Sequence, residues 1–95
     1  MSTAATRVPT AHASRYLQQL CKHWSHKFAV TFDAVHGEVP LPLGPVTLDA
    51  GDMALTVQCA AASAEDLERM QQVVATHLER FAFREGELVF DWQRG

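Results

Sequence analysis

The sequence predicts a two-layer α+β domain, a mostly antiparallel sheet covered on one face by two helices. Three observations carry this. Two segments, near residues 13–28 and 67–81, place apolar side chains at helical spacing. Between them lie runs that alternate apolar and polar residues with period two. Short turn markers separate those runs, which is the punctuation of hairpins rather than of parallel crossovers.

The elements follow in order. "AATRVP" (4–9) reads as a short first strand. Thr10, after Pro9, is a candidate N-cap for a helix running to about His26. At about 100° per residue, Ala13, Leu17, Leu20, Cys21, Trp24 and Phe28 share one face. "FAVTFDA" sets Phe28, Val30 and Phe32 against Ala29, Thr31 and Asp33. "GEVPLPLG" sets Val39, Leu41 and Leu43 against Glu38, Pro40 and Pro42. Its prolines cannot donate to a ladder, so it reads as an edge or bulged strand. "VTLDA" turns Val46 and Leu48 inward, and "MALTVQCA" does the same with Met53, Leu55, Val57 and Cys59. Turns are expected at His36-Gly37, Gly44-Pro45 and Gly51-Asp52.

Ser63, with Asp66 three residues on, resembles a capping box. The helix behind it is expected to reach about Phe83, with Leu67, Met70, Val73, Val74, Leu78 and Phe81 as its apolar stripe. After a turn at "REGE", "LVFDW" (88–92) reads as a last strand with Leu88, Phe90 and Trp92 inward. The order β-α-β-β-β-β-α-β is similar to the TATA-binding-protein-like architecture. That likeness concerns topology and carries no function.

Size and charge bound the rest. A chain of 95 residues is one domain by length, with a small stability margin that dimerisation would widen. The net charge of -3 gives no general attraction to nucleic acid or anionic lipid. No run is apolar enough for a membrane span, and the N-terminus lacks the apolar core of a secretory signal. Two cysteines, Cys21 and Cys59, do not make a disulfide scaffold. The expected setting is cytoplasmic.

The sheet face away from the helices is expected to carry Ala29, Thr31, Asp33, Glu38, Thr47, Asp49, Thr56, Gln58, Val89 and Asp91. RNA-binding sheets stack bases on exposed aromatics and hold phosphates with cations. This face offers neither, so no nucleic-acid partner is expected. It is either a solvated surface or the interface of a homodimer.

"LCKHWSHK" (20–27) is the densest cluster of chemistry-bearing side chains. Cys21 and His23 lie about 160° apart on a helix and cannot share an ion. Cys21 instead joins the core stripe as a small hydrophobe. His23 and His26 are about 60° apart and are neighbours. Two imidazoles make a weak metal site, so further ligands must come from His77, Glu79, His36 or a second copy of the chain. Alternatively Lys22, His23, His26 and Lys27 are the basic end of a helix, favoured there by its dipole.

His77 falls between Val73 and Phe81 on the apolar stripe, where its ring needs a hydrogen-bond partner. It is either a satisfied core histidine or the wall of a pocket facing the end of the first helix and His23. Arg80 and Arg84 are four apart, with Glu79 and Glu85 close by. They are either surface ion pairs or, with Lys22, Lys27 and the histidines, a basic patch for a carboxylate or phosphate. The sequence has no GxSxG, glycine-rich phosphate loop, HExxH or CxxC.

"RYLQQLCKHWSHK" (15–27), "GPVTLDA" (44–50) and "HLERFAFRE" (77–85) resemble the small bacterial family catalogued as domain of unknown function 2218. The resemblance spans nearly the whole chain. It implies matching positions for His23, His26, His77, Arg80 and Arg84. It also implies a role near iron–siderophore handling, since similar segments occur beside siderophore-interacting, flavin-dependent ferric reductases. No reductase domain is expected within these 95 residues, so a redox role would need such a reductase as partner.

The leading expectation is a non-enzymatic accessory protein. It would bind a metal ion, through His23, His26 and His77, or an anionic ligand such as a ferric siderophore or organic acid, with Lys27, Arg80 and Arg84 added. The alternatives are an adaptor working through its sheet, or a small enzyme using His23 or His77 as acid and base.

Overall fold

A computed structural model describes residues 2–82 and 88–95. Its order is β1 (Ser2–Pro9), α1 (Ala13–Trp24), β2 (Thr31–Phe32), β3 (His36–Leu41), β4 (Gly44–Ala50), β5 (Ala54–Ala61), α2 (Ala64–Phe81) and β6 (Gln93–Arg94). The strands form one sheet in the order β2-β3-β4-β5-β1-β6, and every neighbouring pair is antiparallel. Both helices pack on one face of it, α1 across β3, β4 and β5, and α2 across β5 and β1. The predicted fold class and element order are therefore those observed.

Period-two alternation builds the core. Val39 pairs with Val46, Val46 with Cys59, and Cys59 with Ala4, so one buried row crosses four strands. The next row runs Gly37, Leu48, Val57, Thr6. From the helices come Ala13, Tyr16, Leu17, Leu20, Cys21 and Trp24, and then Leu67, Met70, Val74 and Leu78. Gly37 lies directly beneath α1. A Cβ there would stand 2.6 Å from Cys21 Sγ, so the missing side chain sets how closely helix and sheet approach. Burial pushes both thiols up to about 11, which keeps Cys21 and Cys59 as packing groups rather than nucleophiles.

Several boundaries differ from expectation, each for a local reason. The Thr10 N–H donates to Met53 O, extending the sheet contact, and Thr10 Oγ1 accepts from His12 N–H two residues on. That local turn replaces the expected cap, and α1 starts at Ala13. The helix ends at Trp24, whose carbonyl accepts from both Lys27 and Phe28 N–H. His26 therefore lies in the turn beyond the helix rather than on it.

"FAVTFDA" pairs only through Thr31 and Phe32, while Phe28 and Val30 lean against the core edge. β3 is an interior strand by order, but two-residue β2 covers only its start. Pro40 thus sits where no donor is needed. The β3–β4 turn falls at Pro42-Leu43, not at Gly44-Pro45. Gly44 opens β4 at φ 153, and a Cβ on it would meet Ala60 O at 1.9 Å. Met53 precedes β5 and is exposed, and Ala61 extends the inward row instead.

The Ser63 cap is as expected, with Asp66 N–H donating to Ser63 Oγ at 3.2 Å. Phe83 and the "REGE" turn lie outside the described residues. Residues 88–92 are not a strand. Leu88 is buried, and Phe90 and Trp92 stack at 6.3 Å on the core. Thr6 Oγ1 ties the segment down by accepting from Asp91 N–H. Only Gln93 and Arg94 join the sheet, beside Ala4 and Ala5. No described helix is long and apolar enough to cross a membrane.

Candidate functional site

The end of α1, the middle of α2 and the β3–β4 turn enclose a pocket of about 500 Å³. Trp24, Phe28, Leu41, Pro42, Leu43, Met70 and Val73 make its apolar walls. His23, His26, Lys27 and His77 supply its polar groups. Among the described residues that line it there is no carboxylate, so its electrostatic character is basic. Apolar walls with a few converging polar groups are the usual make-up of a small-molecule site.

Two helices position the imidazoles. The core stripe of α1 pins Trp24 inward, which sets His23 at the stripe's margin. On α2, His77 flanks the buried line of Met70, Val74 and Leu78 rather than lying at its centre. Its ring centroid is 5.4 Å from that of His23 and 5.1 Å from that of Trp24. Phe81, one turn further along, meets His23 edge-on at 6.1 Å. The two histidines thus complete an aromatic cluster bridging the helices.

The His77 hydrogen bond fixes its chemistry. Nδ1 lies 2.7 Å from the Val73 carbonyl, which can only accept. Nδ1 therefore carries the hydrogen, and Nε2 is the nitrogen left for a ligand. A bare Nε2 meets a hydroxyl or a chelated metal, and a protonated one meets a carboxylate.

The three predicted histidines and Lys27 therefore share one pocket. Arg80 does not line it and is exposed near the end of α2. Arg84 lies outside the described residues. Among the described residues no group of three or more His, Cys, Asp or Glu could hold a metal ion. His23, His26 and His77 thus line the pocket without forming a ready coordination set.

The sequence profile of a family described as "Uncharacterized protein conserved in bacteria (DUF2218)" matches residues 5–93. The chain belongs to this family. The NMR structure of PA4090 from Pseudomonas aeruginosa is similar, at 34% identity and a TM-score of 0.82, covering 98% of this chain and 96% of that one. No curated protein matches. Family membership brings the fold and no activity with it.

Two features escaped the sequence reading. The pocket wall opposite α2 is the β3–β4 turn, where Leu43 is an apolar residue in a turn. An apolar side chain between two turn-formers is the signal that it packs on something. The second is on the outer sheet face. His36 Nδ1 lies 2.7 Å from Asp49 Oδ1, and Nε2 lies 3.2 Å from Glu38 Oε2. Hydrogen bonds to Asp49 and then Glu38 raise the pKa of His36. The two carboxylates sit on opposite ring nitrogens, so the cluster clamps the imidazole and leaves no common point for an ion. Next to it, Asp33 Oδ1 accepts from the Val35 and His36 N–H groups, which lowers the pKa of its carboxyl.

Proposed function

We propose that this protein binds a small amphipathic organic acid in the pocket between α1, α2 and the β3–β4 turn, without turning it over. One observation carries the reading. Three imidazoles and Lys27 gather at an apolar cavity of about 500 Å³ whose described lining has no carboxylate. An apolar body lies along Leu43, Met70 and Val73. The acid group meets the cationic side, where a charge-assisted hydrogen bond offsets its lost hydration. Among the described residues there are too few donors together for a bare metal ion, so an organic ligand fits better.

A second reading is a metal chelate that brings most of its own ligands, such as a ferric siderophore. The His23–His77 pair favours it, because one Nε2 can complete a coordination sphere that the chelator leaves open.

Calorimetric titration separates these readings. The probes are biphenyl-4-carboxylate, Zn(II) alone and ferric citrate, each on the wild type and on His23→Ala/His77→Ala. The expected result is saturable binding of the aromatic acid that the double variant loses. Binding of ferric citrate but not of the aromatic acid would move the conclusion to the chelate. Binding by neither would overturn the pocket as a site.

A further inference from the structure

The pocket does not end at His77. A second depression, lined by Leu43, Arg69, Gln72, Val73, Thr76 and His77, shares Leu43, Val73 and His77 with the first. The two adjoin along α2. Arg69, Val73 and His77 follow each other at four-residue steps and so form one row on the helix. Two steps of this kind span about 12 Å along the axis. Arg69 thus stands about two helical turns from His77 along the helix, with the apolar side chain of Val73 between them.

We infer that the ligand is a two-headed acid: one anionic group held by His23, His77 and Lys27, an apolar rod along Val73 and Leu43, and a second anionic group held by Arg69. This rests on the pocket reading above and adds the ligand's second charge and its length. The guanidinium fork suits a carboxylate. Among the described residues Arg69 pairs only with Glu65, at 3.5 Å, and both side chains are mostly exposed. Such a contact is weak and yields to a better-placed carboxylate. Gln72 and Thr76 add neutral hydrogen-bonding groups beside Arg69.

The test compares two rods of one body. Biphenyl-4-carboxylate carries one acid group. Biphenyl-4,4′-dicarboxylate carries two, at a separation close to two helical turns. Each is titrated calorimetrically into the wild type, Arg69→Gln and Glu65→Gln. A symmetric diacid gains a factor of about two merely by offering two ends, so only a larger gain counts. The expected gain for the diacid is about tenfold on the wild type. Arg69→Gln should remove that gain and leave the monoacid unchanged. Glu65→Gln should increase it, since Arg69 then has no competing carboxylate. Equal binding of the two acids to the wild type, or an Arg69→Gln variant that keeps the diacid's advantage, would overturn the inference while leaving the pocket reading intact. Failure of both acids to bind would overturn both. Arg69 is exposed on a well-capped helix, so Arg69→Gln folds, and unchanged far-UV circular dichroism checks it.

Discussion

The rings of His23 and His77 stand 5.4 Å apart, centroid to centroid, although they belong to different helices. Trp24 holds the pair from below, with its own ring 5.1 Å from His77. The aromatic cluster therefore has a buried member, Trp24, two partly buried ones, His77 and Phe81, and an exposed one, His23. Structure and binding can be separated by mutating them in turn.

Trp24→Ala removes the buried member. Trp24 is 5% exposed, so the loss is expected to cost about 3–5 kcal/mol. Urea denaturation followed by circular dichroism measures it. A midpoint equal to wild type would mean that Trp24 is not in the core and that α1 is misplaced. Trp24→Phe keeps most of the packing and should lose much less.

His77→Ala should behave differently. Its ring is partly exposed and, among the described residues, its hydrogen bond is to a carbonyl of its own helix. A stability loss of about 1 kcal/mol or less is expected, together with loss of aromatic-acid binding. His26→Ala, in an exposed turn, should change stability by less than about 0.5 kcal/mol. A loss several times larger for His77→Ala, with binding retained, would make His77 a structural residue only.

Much of this arrangement is legible from periodicity. The positions Leu17, Leu20, Cys21 and Trp24, and later Leu67, Met70, Val74 and Leu78, declare which helix faces are buried. Alternation in β4 and β5 declares the sheet's inner face. What periodicity does not give is register. His36, Glu38 and Asp49 are all on the outer face by parity. That His36 meets Asp49 depends on the turn falling at Pro42-Leu43. A turn placed at Gly44-Pro45 pairs other residues. "LVFDW" shows a second limit, because apolar alternation there marks burial and does not require ladder hydrogen bonds, while exposed Met53 shows that alternation does not always mark burial. Leu88, Phe90 and Trp92 pack inward without a strand. The role given to Arg69 was hidden for a third reason. A surface arginine four residues from a glutamate reads as an ion pair until a neighbouring cavity is seen.

Gly37 and Cys21 should be energetically coupled. Gly37→Ala places a Cβ where Cys21 Sγ already stands at 2.6 Å, so α1 must shift. The expected cost is about 1–3 kcal/mol. Cys21→Ala removes the sulfur and makes room. In the double variant the two losses should sum to less than the single ones predict, by about 0.5–3 kcal/mol. Strict additivity in urea denaturation would show that the helix does not approach β3 at this point.

His36 sets a pH dependence of stability whose sign follows from its partners. Hydrogen bonds to Asp49 and then Glu38 raise its pKa in the folded state above the ordinary 6.5. The folded protein therefore binds the proton more tightly than the unfolded chain. The resulting stabilisation is fully present below about 6.5 and fades as the pH rises through the raised folded value. Asp33 acts in the opposite range. Its pKa lies below the ordinary 3.8, so its contribution holds above that value and is lost on further acidification. Denaturation midpoints of wild type and His36→Gln at pH 5.5 and pH 9 test the first effect. The variant should fall short of wild type at pH 5.5 and approach it at pH 9. A difference that grows with pH would reverse the assignment.

Lys27 and Arg80 give the sharpest contrast between sequence proximity and spatial role. Both belong to basic segments that the sequence groups with the histidines. Only Lys27 lines the pocket. Among the described residues it has no ion-pair partner, so its ammonium is available to an anion. Lys27→Gln should weaken biphenyl-4-carboxylate binding by about three- to tenfold at low salt and by less at high salt, since an exposed charge is screened within about 10 Å at 0.1 M. Arg80→Gln should leave the same titration unchanged, and stability within about 0.5 kcal/mol, because its side chain is exposed and away from the lining. Should Arg80→Gln abolish binding while Lys27→Gln does nothing, the anion sits further along α2 than the pocket described here, and the cationic patch must be redrawn around the end of that helix.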